Sequence, residues 1–282
     1  MIKMKLKYDP LPFVLETGIP YHKVQILHAL GKTKEKIYGE FLAALKSQQN
    51  RDGGWSWDYK EYQPSAVANS ARTLYVILET GNYSRESIEK GVQFLLSMQR
   101  QDGGWSENPV LHPQILDNWP WHSAVHSVTW ITGRVITALV KAGYPIDDRI
   151  SAGLRFLESM QNEEGGWPSH TGSPPEPKMW NMEEVVSAFV AAGMKDTDIV
   201  KRAIEATIVH KDRWSEPVES PLCMFRQLEY SVDHPYVREC INHFIHNQHE
   251  DGGWGYYNES PSDPTQTASW TGVLVRYGVE IP

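Results

Sequence analysis

Apolar and polar residues alternate along this chain in two distinct helical patterns. In ESIEKGVQFLLSMQ, Ile88, Val92 and Leu95 lead to Gln99 at helical spacing, with charges elsewhere. RISAGLRFLESMQ does the same with Ile150, Leu154 and Leu157 before Gln161, and VRECINHFIHNQ with Val237, Ile241 and Phe244 before Gln248. In KEKIYGEFLAALKSQQ, Ile37, Phe41 and Leu45 form the same stripe. One apolar stripe on a charged helix predicts an outer helix lying on a core. Between these stretches lie segments 64–81, 121–143, 179–193 and 264–278, which are small or apolar on nearly every side. They predict helices buried all round, and each ends in glycine, a common helix stop.

Each outer pattern runs into the same punctuation. QNRDGGW, QRQDGGW, QNEEGGW and QHEDGGW end at Trp55, Trp105, Trp167 and Trp254. The tryptophans are 50, 62 and 87 residues apart, and Trp214 in HKDRWSEP divides the last gap into 47 and 40. We read this as a fifth, degenerate repeat, with an inner helix near PLCMFRQLEYS and an outer one from about Asp233. At the start, DPLPFVLETG and PYHKVQILHALG predict one more outer and one more inner helix. The total is about six of each. Repeated hairpins with one buried helix each solve their open ends by closing into a ring. The expected fold is all-α, a six-hairpin α/α toroid, with residues 1–282 forming a single domain. The glycine pair predicts a chain reversal that includes positive φ, the tryptophan a cover for the turn, and the glutamine a partner for backbone at a helix end.

Composition narrows the function classes. A formal charge of −8 gives nucleic acid no electrostatic footprint. No run of 18 apolar residues suggests a spanning helix, and MIKMKLK is too short and mixed for a secretory leader. Two cysteines without metal-type spacing fit a reducing, cytoplasmic setting. Nothing indicates contact with a membrane surface, and the oligomeric state stays open.

QRQDGGWSENP and QNEEGGWP resemble the QW motifs of the terpenoid cyclase and protein prenyltransferase superfamily, and the resemblance extends over nearly the whole chain. SDPTQTASWTGVLVRYG is similar to an inner-helix segment of squalene–hopene cyclases. The resemblance implies an apolar cavity at one mouth of the ring, lined by the first turns of inner helices. The family's signature motifs are altered here. No Asp-x-Asp-Asp occurs, and the nearest match is Asn181-Met182-Glu183-Glu184. Pro221 stands where the Asp of a prenyltransferase Asp-x-Cys would precede Cys223. Asp147-Asp148 lacks the third acid of Asp-Asp-x-x-Asp and reads as a helix N-cap.

These residues give the candidate chemistry. Protonating an alkene requires a carboxylic acid kept neutral by an apolar setting or by a second carboxylate. Glu183 is the expected donor, with Glu184 beside it and Asn181 as a hydrogen-bond partner. His122 and His126, four apart in a predicted helix, are expected to share a face and build a wall with Trp119, Trp121 and Trp130. Such a pair holds zinc only with a third ligand, and no complete set is visible, so no metal or cofactor is assigned. Trp180, Phe225 and Trp270 are expected to add π surface for an isoprenoid or a carbocation, with Trp57, Asp58 and Tyr59 at the rim. Residues 109–121 form the longest irregular insertion and read as a lid, whereas His243, His246 and His249 read as a solvated face. The first functional reading is therefore isoprenoid handling by proton-initiated, metal-independent cyclisation, with an apolar small molecule as partner. The alternatives are a non-catalytic lipid-binding or scaffold module, and another toroid enzyme such as a polysaccharide lyase or a prenyltransferase subunit.

Overall fold

A computed structural model describes residues 4–60, 63–112, 121–174, 179–209, 219–256 and 260–282. In chain order the helices are α1 (Leu11–Thr17), α2 (Pro20–Ala29), α3 (Lys36–Ser47), α4 (Val67–Thr80), α5 (Arg85–Ser97), α6 (Thr129–Lys141), α7 (Asp148–Met160), α8 (Met179–Ala191), α9 (Asp198–Val209), α10 (Glu219–Gln227), α11 (Pro235–His246) and α12 (Pro264–Arg276). A two-strand hairpin, β1 (Trp55–Ser56) and β2 (Ser65–Ala66), precedes α4 and pairs Trp55 with Ala66. The even-numbered helices fall where inner helices were expected and the odd-numbered ones where outer helices were expected, except α9, for which no stretch had been singled out. Among the described residues the chain is thus all-α apart from this hairpin.

Contacts gather into two units, one of Met1–Ser47 with His210–Pro282, the other of Gln48–Val209. In the second unit α4, α6 and α8 pack side by side, and α5, α7 and α9 lie against them. Burial follows the two sequence patterns. On α6, Trp130, Ile131, Val135, Ile136, Ala138 and Leu139 are all buried, whereas α7 buries one stripe that includes Ile150, Leu154 and Leu157. Asp147 caps α7 by accepting from the amides of Arg149 at 2.9 Å and Ile150 at 3.2 Å. In the first unit α2 packs on α12, α1 and α3, and α10 packs on α11 and α12.

The repeated motif proves to be a set of stitches. Gln99 Nε2 donates to Gly103 O at 2.9 Å, within its own turn, and to Arg149 O at 2.8 Å, at the start of the next outer helix. Gln49 binds Gly53 O and Ser87 O, Gln161 binds Gly165 O and Ile199 O, and Gln248 binds Gly252 O and Tyr8 O. The indole N–H of Trp105 donates to Leu95 O at 2.7 Å, and its backbone N–H to Thr132 Oγ1 at 2.8 Å, so the residue ties α5 to α6. Removing the Gln99 side chain deletes two such bonds. We expect Gln99→Ala to cost about 1–2 kcal/mol in urea denaturation. An unchanged midpoint would show that the stitch is ornamental.

The two glycines of each pair have different tasks. Gly103 carries the positive φ of the turn, +89°. Gly104 does not; instead a Cβ there would sit 2.7 Å from the Cβ of Ser127, whose hydroxyl donates to Asp102 Oδ1 at 2.7 Å. The first glycine is thus required by conformation and the second by close approach, so only one of the pair supplies the positive φ expected of the reversal.

Candidate functional site

The segment expected to begin an inner helix at Trp121 stays irregular as far as Val128, and α6 starts only at Thr129. Ser123 accounts for part of this. Its hydroxyl accepts from the amides of Val125 at 3.1 Å and His126 at 2.8 Å, closing a local turn that competes with helix. Val128 is then extended, its amide donating to Trp105 O at 2.8 Å. His122 and His126 therefore do not share a helical face. His126 is exposed, stacked on His170 with ring centroids 5.5 Å apart and 3.4 Å from the Thr171 hydroxyl. His122 is fully buried.

Around His122 the chain assembles three indoles. Trp57, two residues past the first GGW, and Trp121 lie with ring centroids 5.2 Å from the imidazole, the latter nearly parallel at 15°. Trp130, in the first turn of α6, stands 5.3 Å away and donates its N–H to Trp121 O at 2.8 Å. Trp57 and Trp121 remain 38% and 39% exposed, so one side of this cluster meets solvent. His122 Nε2 lies 3.6 Å from Glu107 Oε2.

Glu107 is the residue that sequence reasoning missed. It sits two residues past Trp105, where the other motifs place Trp57, Ser169 and Tyr256. That carboxylate, at a position uncharged in the other three complete motifs and matched only by Glu216 after Trp214 of the degenerate repeat, was the available signal. Glu107 has no solvent exposure. Its carboxylate accepts from the amides of Val67, Ala68 at 3.3 Å and Asn108 at 2.9 Å. It therefore caps α4, whose own N-cap Ala66 has no side chain to do so. Burial pushes the carboxyl up to about 7, opposed by the three amides and by Arg134. Burial, with help from Arg134 and His170, pushes His122 down to about 3. At neutral pH the imidazole is thus uncharged, and the acid beside it is close to half protonated.

The expected acid motif lies in the first turns of α8. Glu184, about one-fifth exposed, is ion-paired with Arg134, whose Nε donates at 2.8 Å. The Arg134 guanidinium also lies 4.9 Å over the Trp130 ring. Glu183 is half-buried. Asn181 is fully buried and donates to Trp167 O at 3.2 Å and Ser169 Oγ at 3.5 Å. Structure thus brings Trp121, His122 and Trp130 together with Glu107 and Trp57, and joins Glu184 to them through Arg134. Trp119, most of the expected lid and the Trp180 side chain lie outside the described residues. In the first unit, Phe225 packs among Tyr230, His234 and Tyr236, at the start of α11 and the turn before it, and Trp270 against Phe244 of α11 and Trp254 beyond it. Among the described residues no group of three or more His, Cys, Asp and Glu side chains could hold a metal ion, and no helix is long and apolar enough to cross a membrane.

Known proteins agree with this architecture. Residues 20–114 match the family model of the squalene–hopene cyclase C-terminal domain. A squalene–hopene cyclase of Bradyrhizobium diazoefficiens is 25% identical across 86% of this chain and 42% of its own length. Lanosterol synthase of Saccharomyces cerevisiae is 30% identical over 48% of this chain and 18% of its own. The chain therefore spans less than half the length of these curated relatives. Among solved structures, a protein from Actinoplanes superposes with a TM-score of 0.64 at 16% identity, covering 92% of this chain and 90% of that one. The type II terpene cyclase MstE from Scytonema gives 0.62 at 14% identity, covering 92% and 87%. The fold is that of the α/α toroids, and in sequence the chain is similar to squalene–hopene cyclases and lanosterol synthases.

Proposed function

We propose that this protein handles isoprenoids in the manner of a terpenoid cyclase, through proton-initiated cyclisation, and that Glu107 is the acid. The carrying observation is a fully buried carboxyl, raised to about 7, within 3.6 Å of a neutral imidazole that three indoles surround. An acid of this kind keeps its proton to a higher pH than an ordinary carboxyl, because its setting is apolar. In the step proposed, the Glu107 O–H bond breaks, a C–H bond forms at one alkene carbon, and the π pair supplies its electrons. Positive charge then rests on the isoprenoid, where the indole faces of Trp57, Trp121 and Trp130 favour it. The Glu107 carboxylate left behind is met by fixed amide donors at the start of α4, which stabilise it without reorganisation. The cation ends by returning a proton or by taking up water.

Glu183, expected from the sequence, is the rival donor. Its neighbour Glu184 is committed to Arg134, and the half-buried setting of Glu183 gives less desolvation than Glu107 has. Relatives in structure support the substrate class: one MstE structure holds geranylgeranyl dihydroxybenzoate as substrate and another merosterolic acid A as product. The cytoplasmic setting expected from the sequence is part of the same proposal.

The test is incubation of the purified chain with squalene, prenyl alcohols and a geranylgeranyl aryl compound, followed by mass-spectrometric product analysis. Cyclised hydrocarbons or alcohols are the expected products. Binding without conversion of any of these chains would replace the enzyme reading with a lipid-binding module.

A further inference from the structure

The amide of Asn181 is incompletely used. Its Nδ2 makes two contacts, to Trp167 O and Ser169 Oγ, while Oδ1 is buried and has no hydrogen-bond partner among the described residues. A buried acceptor left so is costly, and native folds seldom tolerate one without a purpose. Its position gives that purpose. Ser169, which Asn181 touches, accepts the Thr129 amide at 2.9 Å through its backbone carbonyl, so Asn181 stands where the first turns of α6 and α8 meet. One turn further along, Gly133 lets α6 come so close that a Cβ there would lie 2.3 Å from Glu184 O, and Arg134 closes the seam by pairing with Glu184. The same start of α6 carries Trp130, one of the three indoles around His122.

We infer that Asn181 Oδ1 is the acceptor for a ligand hydroxyl, so that the preferred isoprenoid is oxygenated at the end lying between α6 and α8. This deepens the isoprenoid reading and rests on it. A neutral O–H donor suits the place. A cationic donor would be buried against apolar neighbours such as Met182 and Trp167, and the nearby carboxylate of Glu184 is already held by Arg134.

The experiment is calorimetric titration of the full chain with farnesol, its methyl ether and the hydrocarbon β-farnesene. Wild type should bind farnesol about tenfold more tightly than either analogue, the scale of one buried hydrogen bond. Asn181→Leu should bring the three within about twofold of each other while leaving β-farnesene affinity in place. Asn181→Ala serves if the leucine variant does not fold, and the wild-type alcohol-to-ether ratio decides the matter without any variant. Equal affinities in wild type, or a farnesol preference that survives both substitutions, would overturn the assignment of Asn181 alone. Binding of none of the three would sink the isoprenoid reading together with it.

Discussion

Trp105→Ala should lower stability by about 3–5 kcal/mol, the range for emptying a large aromatic site in a core. The indole is fully buried. It touches three helices at once: α5 through its N–H to Leu95 O, α6 through its backbone N–H to Thr132, and α7 at Gly153, where a Cβ would meet the ring at 2.9 Å. Cavity formation supplies most of the loss. The rest comes from Leu95 O, a carbonyl near the end of α5 that loses its 2.7 Å bond from the indole and keeps only the 3.2 Å bond from the Met98 amide. Trp105→Phe keeps much of the ring volume and removes the N–H, so its cost should be near 1–2 kcal/mol. Gly103→Val should approach the alanine variant, because it places a β-branched residue at a φ of +89° with its Cβ 2.6 Å from Ala152 O. Urea denaturation of the three variants measures this order. Midpoints indistinguishable from wild type in Trp105→Ala would remove the tryptophan from the set of clamps.

That clamp was legible in the sequence because it is repeated and local. Gln99, Gly103 and Trp105 lie within seven residues of one another, and their counterparts recur with the same spacing. The helices were legible for a related reason: a period near 3.6 with one apolar stripe identifies the outer set, and apolar residues on all sides identify the inner set. Segment 121–128 defeated the same logic. Small and apolar residues there looked like the opening turns of a buried helix, but the Ser123 hydroxyl captured two amides and held the chain in a turn. With the helix gone, the four-residue spacing of His122 and His126 lost its meaning. Glu107 was hidden for a different reason. Its carboxylate caps Val67 and Ala68, 40 and 39 residues earlier, a pairing that no local pattern announces. Glu183 and Glu184 stand out instead because two adjacent acids opening a predicted inner helix are visible in one dimension. Burial, which separates Glu107 from both, is a property of the folded chain.

Glu107→Gln should abolish turnover of isoprenoid chains, whereas Glu183→Gln should leave most of it. Glutamine preserves the size of the side chain, and its amide oxygen, placed where Oε1 lies, can still accept from the Val67 and Asn108 amides, so α4 keeps part of its cap and only the contact from the Ala68 amide to Oε2 is given up. What it lacks is a proton to give. The two variants measured on one substrate decide between the acids: activity retained in Glu107→Gln and lost in Glu183→Gln would move the donor to α8. The pH dependence supplies an independent reading that needs no substrate. The folded carboxyl is raised to about 7 from an ordinary value of 4.5. Its contribution to stability is therefore complete below the unfolded value and is lost as pH rises through the folded one. Between pH 5 and pH 8 wild type should lose about 2–3 kcal/mol that Glu107→Gln does not lose, since each tenfold change in proton affinity on folding corresponds to about 1.4 kcal/mol. Catalysis should fall over the same interval, because a donor must be protonated to act and the fraction protonated declines through pH 7. A wild-type rate that climbs with pH across this window would identify a general base in place of an acid, and the proton-initiated mechanism would be lost with it. A stability difference between wild type and Glu107→Gln that stays constant from pH 5 to 8 would mean that the carboxyl is ionised throughout, held by the α4 amides as a cap and unavailable as an acid.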